Sequence, residues 1–324
     1  MWKRLLTFLF PAALMVLALP GGALAQSPNP QDAPRQIRFL VGFAAGGATD
    51  LLARRMQPLF ERRGYQLVIE NLPGAGSTIA LGRLVQLRPD GATLGFASCG
   101  IIAMAAAEQT QLRLEQFTNI IRVAEDRFVF AVGRNSPIRT IDHAIAAMRS
   151  AGGGFSAGSA GPEGGLASLH LNYFAGAIGA TYVYVAFPGA SRVANELIGG
   201  HLGAGHVKPA DIFGQIRSGD VRPVFVFGRD RISQLPDIPA LVEHGITHED
   251  EKVGCMSYVV GPAGMAPALR EKTAELFRDV VMSEDFQAGS ERDAVTTDGV
   301  VGATLDSAVQ EMFAAYRNAF LRAR

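Results

Sequence analysis

The residues of this chain that could do chemistry sit at glycine-rich turns. The first turn is GFAAGGATD, Gly42 to Asp50, directly after the apolar segment IRFLV. A strand that feeds such a turn and then a helix leaves backbone amides facing outward, and free amides at a helix start hold a carboxylate or a phosphate. Phe43, Ala44, Gly46 and Gly47 form the turn, and Thr49 or Asp50 can cap the helix behind it. No Lys-Ser/Thr pair follows the glycines and the spacing is not GxGxxG, so neither a Walker loop nor a dinucleotide fingerprint is present. An ordinary strand-to-helix turn is the competing reading.

The second turn, ENLPGAGSTIALG from Glu70 to Gly82, repeats the logic with Ser77 and Thr78 at a helix start. Two such starts after neighbouring parallel strands converge on one crevice. A third stretch, GGGFSAGSAGPEGGLASLHLNYF, places Ser156 in GxSxG, the spacing of a serine-hydrolase elbow, with Asp211 and His244 as nominal partners. The elbow needs a buried strand before the serine, and SAGGG makes a poor one. The better reading is a further turn at a helix start, with Ser159 and the amides from Ala160 through Gly161 to Gly165 facing the first two turns. YVAFPGASRVANELIGG, Tyr184 to Gly200, adds a fourth strand-turn-helix unit, in which Phe187 is either a wall of the site or a core aromatic. His201 and His206 near Asp211 raise a metal site, but a spacing of five does not put two imidazoles on one helix face. Lys208 is either a contact for an anion or a solvated surface cation. No acid pair or Cys/His pair stands out, so the pattern favours holding a ligand over transforming it, with no catalytic residue, metal or cofactor expected.

The elements that must position these turns alternate along the chain. IRFLVGF, YQLVIEN, ATLGFAS, FVFAVGRNS, YVYVAF and VRPVFVFG read as strands, while TDLLARRMQPLFERRG and STIALGRLVQL carry apolar residues at helical spacing. Alternation of this kind predicts parallel sheets with ligand sites at the carboxyl ends of the strands. A fresh helix after Ser136 and a return strand near Ser257, followed by a helix with Pro267 in its first turn, predict two α/β lobes crossed twice by the chain. The expected division is lobe 1 at 35–135 plus 257–324 and lobe 2 at 136–256, with a cleft between them.

Residues 1–25 read as a cleaved secretory signal peptide: Lys3-Arg4, an apolar run from Leu5 to Leu19 broken by Pro11, then a small-residue site ending at Ala25. Residues 26–34, QSPNPQDAP, read as a polar leader. The chain has 30 basic and 30 acidic residues, and removing Lys3 and Arg4 leaves about −2, which offers no basic field for nucleic acid or anionic lipid. The two cysteines, Cys99 and Cys255, would meet an oxidising compartment, where a disulfide is open to them. A two-lobed α/β protein of this size does not need the staple, and we expect the pair to stay unpaired.

IRFLVGFAAGGATDLLARR, VIENLPGAGSTIA, RPDGATL and LPDIPALVEHG, in this order behind a signal peptide, resemble the extracytoplasmic receptors of tripartite tricarboxylate transporters, the Bug proteins. The resemblance runs from about Arg35 to the C-terminus. It implies a type II periplasmic-binding-protein fold, two α/β lobes closing on a small carboxylate, in a monomer that serves inner-membrane permease subunits. The ligand contacts it implies are Phe43, Ala44, Gly46, Gly47, Asp50, Ser77, Thr78 and Ser98 in the first lobe. In the second they are Ser159, Ala160, Gly161, Phe187, Gly189 and Ala190. The chain departs from the family pattern where PEGG lengthens the loop before His170, bringing in Glu163, and where AGHVKPADI carries His206 and Lys208. A sensor that feeds a membrane signalling protein, or a secreted esterase using Ser156, are the alternatives.

Overall fold

The computed structural model describes residues 33–161, 163–246 and 255–322. The expected signal peptide and nearly all of the leader lie outside the described residues. Ala33 is buried in the first core, so the packed body begins slightly ahead of Arg35.

The first lobe opens with β1 (Gln36–Val41), α1 (Ala48–Glu61), β2 (Gln66–Asn71), α2 (Thr78–Leu84), β3 (Thr93–Ser98) and α3 (Cys99–Ala106), and then β4 (Phe117–Asp126). Helix α1 buries Leu52, Met56, Leu59 and Phe60, the i, i+4, i+7, i+8 stripe of an amphipathic helix, and turns back through Gly64 at φ +76°. Strand β3 is buried on both faces, and Gly95 lacks a side chain where Leu81 and Leu84 of α2 press on the sheet.

The second lobe contains β5 (Phe128–Gly133), α4 (Ile141–Ser150), β6 (Ser156–Ala160), α5 (Leu166–Ala177), β7 (Val183–Phe187), α6 (Ala190–Ile198), β8 (Ala204–Val207), α7 (Phe213–Arg217) and β9 (Val221–Phe227). The chain then returns through β10 (Cys255–Pro262) to α8 (Pro267–Val281), α9 (Glu284–Arg292) and α10 (Gly302–Arg322). Pro267 starts α8, where its missing N–H costs nothing.

The two sheets are built alike. Their strand orders are β2-β1-β3-β10-β4 and β7-β6-β8-β5-β9. Within each, the first three strands are parallel, and the fourth runs antiparallel between the third and the fifth. In the first sheet that antiparallel strand is β10, arriving from the second lobe; in the second it is β5, arriving from the first. This is the expected two-lobed α/β binding-protein architecture with two crossings.

The first crossing lies at Arg127 and not near 135, because Phe128–Gly133 pairs with β8 and β9 of the second sheet. The expectation placed FVFAV in the wrong lobe because an apolar strand does not state which sheet receives it. Cys99 and Cys255 form a disulfide across 156 residues, contrary to the expectation that they stay apart. It joins the start of α3 to the start of β10, so the returning strand is fastened to the first lobe where it enters.

Candidate functional site

A cavity of about 320 Å³ lies between the lobes, walled by turns that follow β1, β3, β6, β7 and β8. These turns stand at the carboxyl ends of the two parallel strand triplets, where parallel sheets place ligands.

On the first-lobe side the lining residues are mostly small. Phe43, Ala44, Gly47, Ala48 and Thr49 line the cavity. Gly42 must lack a side chain, since a Cβ there would lie 2.4 Å from that of Ser77, and Gly46 turns with φ +84°. Asp50 is buried behind the loop. Its carboxylate accepts from the Gly46 amide at 2.8 Å, from Arg54 Nε at 2.8 Å and from Asn71 Nδ2 at 2.9 Å, and Asn71 also donates to the Phe43 carbonyl. Burial would raise its pKa, but the bonds from Arg54, Gly46 and Asn71 outweigh that and hold the carboxyl below its ordinary value. Asp50 therefore fastens the loop and faces away from the cavity.

The next turn is held in an uncommon backbone conformation: Ala75 and Ser77, both non-glycine, have φ +45° and +79° and alternate with Gly74 and Gly76, which are also positive. Gly76 reaches the cavity; Ser77 is buried under Gly42 and Thr78 points its hydroxyl at the Met104 sulfur. After β3, Ser98 caps α3 by accepting from the Gly100 amide at 3.2 Å, and Ser98, Cys99 and Gly100 all line the cavity.

On the second-lobe side small turn residues are joined by larger polar and aromatic ones. Ser159, Ala160 and Gly161 line it at the end of β6, and Gly189 and Ala190 line it at the start of α6. Phe187 is not in the wall: its ring lies over Gly158, where a Cβ would come within 2.7 Å of it, and it packs with the second core. Gly46, Asp50, Ser77, Thr78 and Phe187 thus stand behind the lining, and the other expected residues form part of it.

The lining also holds residues outside that set: Phe128, Tyr184, His206, Lys208 and Asp211. His206 is 1% exposed and stacks on Phe128 with ring centroids 4.3 Å apart. Its Nδ1 lies 3.4 Å from Ser159 Oγ and its Nε2 lies 2.9 Å from His170 Nδ1, giving a Ser–His–His hydrogen-bonded chain. Burial, with help from His170, depresses the His206 pKa well below its ordinary value, so the imidazole is neutral at pH 7. Tyr184 donates to the Gly161 carbonyl at 3.0 Å, and burial pushes its phenol up to about 12. Asp211 reaches across the cleft: its Oδ1 accepts from the Ala48 amide at 2.7 Å. The sequence marked His206, Lys208 and Asp211 as possible ligands of a metal or an anion, but Phe128 carried no local signal, because only the crossing at Arg127 brings it to the wall.

Ser156, the serine of GxSxG, is at the amino end of β6, where its hydroxyl accepts from the Gly203 amide at 2.9 Å. No elbow forms there, since a nucleophile needs the opposite end of its strand. Among the described residues no cluster of three metal-ligating side chains occurs, and no helix is long and apolar enough to cross a membrane.

Comparison with known proteins converges on one group. The family model described as tripartite tricarboxylate transporter family receptor matches residues 52–292. A UPF0065 protein of the gbd 5' region in Cupriavidus necator is 28% identical over 281 residues, covering 85% of this chain and 82% of its own. Among solved structures, the periplasmic binding protein BugD superposes with a TM-score of 0.81 at 22% identity, covering 89% of this chain and 97% of BugD. MatC from Rhodopseudomonas palustris, solved with bound malate, gives 0.78 at 20% identity, covering 89% of this chain and 99% of MatC.

Proposed function

The chain belongs to the family of tripartite tricarboxylate transporter receptors, and on that footing we propose that its cleft captures a small carboxylate in the periplasm and delivers it to the membrane subunits of such a transporter. The observation that carries the ligand class is the composition of the first-lobe wall, where the residues of two strand-to-helix turns, Phe43 to Ala45 with Gly47 to Thr49, and Ser98 to Gly100, line the cavity. Helix starts and hydroxyls hold a carboxylate without a full counter-charge. The malate in MatC supports the same class.

In this reading the carboxylate meets Phe43, Ala44 and Gly47, the Ser98–Gly100 turn and Ser159–Gly161, while Phe128, Tyr184 and neutral His206 receive the body of the ligand. Lobe closure makes affinity depend on how much better the closed state binds than the open one. Phe187, Asp50, Ser77 and Thr78 act from behind, by shaping the turns.

Ser159, His206 and His170 have the spacing of a nucleophile and its base, yet the receptor reading fits them better. A base must become imidazolium as it takes the proton, and burial beside a second histidine disfavours that charge.

The test is a thermal-shift screen of residues 26–324 against mono-, di- and tricarboxylates and aromatic acids, with the matching amides as controls. A rise confined to one carboxylate class supports the reading, because a ligand that binds only the folded state stabilises it by RT ln(1 + [L]/Kd). Equal shifts with acids and amides, or turnover of the matching esters lost in Ser159→Ala, would overturn it.

A further inference from the structure

Helix α1 starts without a cap of its own. Gly47, at its N-cap position, has no side chain, and Asp50 in its first turn is turned back onto the Gly46 amide, Arg54 and Asn71. The first amide of the helix, that of Ala48, donates instead to Asp211 Oδ1, which is 163 residues away and belongs to the other lobe. Asp211 ends a short turn, Pro209–Asp211, directly after β8, and its neighbour Ala210 packs against the first-lobe core. A second contact joins the lobes, where Leu166 and Leu169 of α5 share an apolar cluster with Ile102 and Ala103 of α3.

We infer that Asp211 is a positioning residue for the receptor's closure, a clasp carried by the second lobe that caps α1 in the first and holds the lobes together before any ligand arrives. Donor and acceptor lie on different lobes, so the bond exists only when the cleft is shut. A carboxylate on a helix N-terminus is charge-assisted twice, by its own charge in the hydrogen bond and by the helix dipole. The apolar α3–α5 seam has no such directional requirement, so the clasp sets where closure stops. It also means that the first amide of α1 is already taken by a resident carboxylate, so the ligand's carboxylate is recognised by the remaining turns of the first-lobe wall. The inference takes the cleft of the receptor reading as the moving site.

The experiment measures the ligand-free protein, so that it is independent of which carboxylate binds. Spin labels on cysteines introduced at exposed Glu61 and Ile198, one in each lobe, report the interlobe distance distribution. Wild type is expected to populate the short distance, and Asp211→Ala to raise the open-to-closed ratio by about tenfold, the size of a charge-assisted bond. Asp211→Asn, which keeps an oxygen acceptor without the charge, is expected to fall between them. Gly47→Asp attacks the clasp from the other side. Gly47 has φ −79° and a Cβ there meets nothing closer than 3.5 Å, so the fold accepts the side chain, while the second carboxylate at the same helix start repels Asp211. Opening in Gly47→Asp would therefore support the clasp even if Asp211→Ala failed to fold. Unchanged distances in both variants would overturn it. A shifted distance together with a silent carboxylate screen would leave the clasp standing and remove the proposed ligand class.

Discussion

The two halves of the cleft are made of different material. The first-lobe half is lined mostly by small turn residues, held in place by side chains: Asp50 fastens the β1–α1 loop from behind, Ser77 packs on Gly42, and the Cys99–Cys255 disulfide secures the return strand. The second-lobe half adds larger polar residues to its small turn residues, among them His206, Tyr184, Lys208 and Asp211. Backbone amides recognise any carboxylate, whereas side chains distinguish one carboxylate from another. The first half is accordingly the place where substitutions should cost stability, and the second the place where they should change selectivity.

The largest effect is expected from the disulfide. Closing a loop of 156 residues limits the unfolded chain strongly, and Cys99→Ala with Cys255→Ala should lower stability by about 4 kcal/mol. Urea unfolding with and without reductant checks this, and reductant should have no effect on the double variant. Next comes Asp50→Ala, which strips a buried carboxylate from the Gly46 amide, Arg54 and Asn71. A loss of about 3 kcal/mol is expected, together with loss of carboxylate binding, although Asp50 does not line the cavity. Intact binding in a folded Asp50→Ala protein would blur the division between the two halves.

A smaller effect comes from the second half. The folded protein holds His206 well below its ordinary value of 6.5, while the unfolded chain takes up that proton as pH falls below 6.5. Stability should therefore decline from pH 7 towards pH 5, by up to about 1.4 kcal/mol per unit. His206→Gln should flatten that slope in urea titrations at several pH values. The depressed Asp50 carboxyl acts in a separate window, below the ordinary carboxylate pKa, so the two do not overlap. The smallest change in stability, within about 0.5 kcal/mol, is expected for Lys208→Met. Its effect should appear in the ranking of mono- against dicarboxylates, and an unchanged ranking would place Lys208 outside recognition.

The same contrast explains what the sequence made legible. GFAAGGATD announces a turn because glycine is needed where the backbone turns left-handed at Gly46 and where Ser77 presses on Gly42. Strand-turn-helix units of this kind are local, and so was the two-lobed α/β fold they imply. Long-range relations left no local trace. Asp50 reads as a helix cap, but the first amide of that helix is taken by Asp211 from the other lobe. Strand β6, SAGSA, lacks the β-branched residues that mark a strand, and at its centre the Phe187 ring and the Val185 carbonyl leave no room for a side chain on Gly158. The cysteine pairing and the crossing at Arg127 depend on which sheet receives a strand, which apolar periodicity does not state.

Whether the glycine-rich turns hold a carboxylate in the cleft is tested most directly by titration calorimetry with Gly47→Trp. Gly47 lines the cavity and has space for a Cβ, so the indole should block the cleft without disturbing the fold. Wild type should bind the best carboxylate of the screen with one-to-one stoichiometry and ignore its amide, and Gly47→Trp should bind neither. Unchanged carboxylate binding by a folded Gly47→Trp protein would contradict the site.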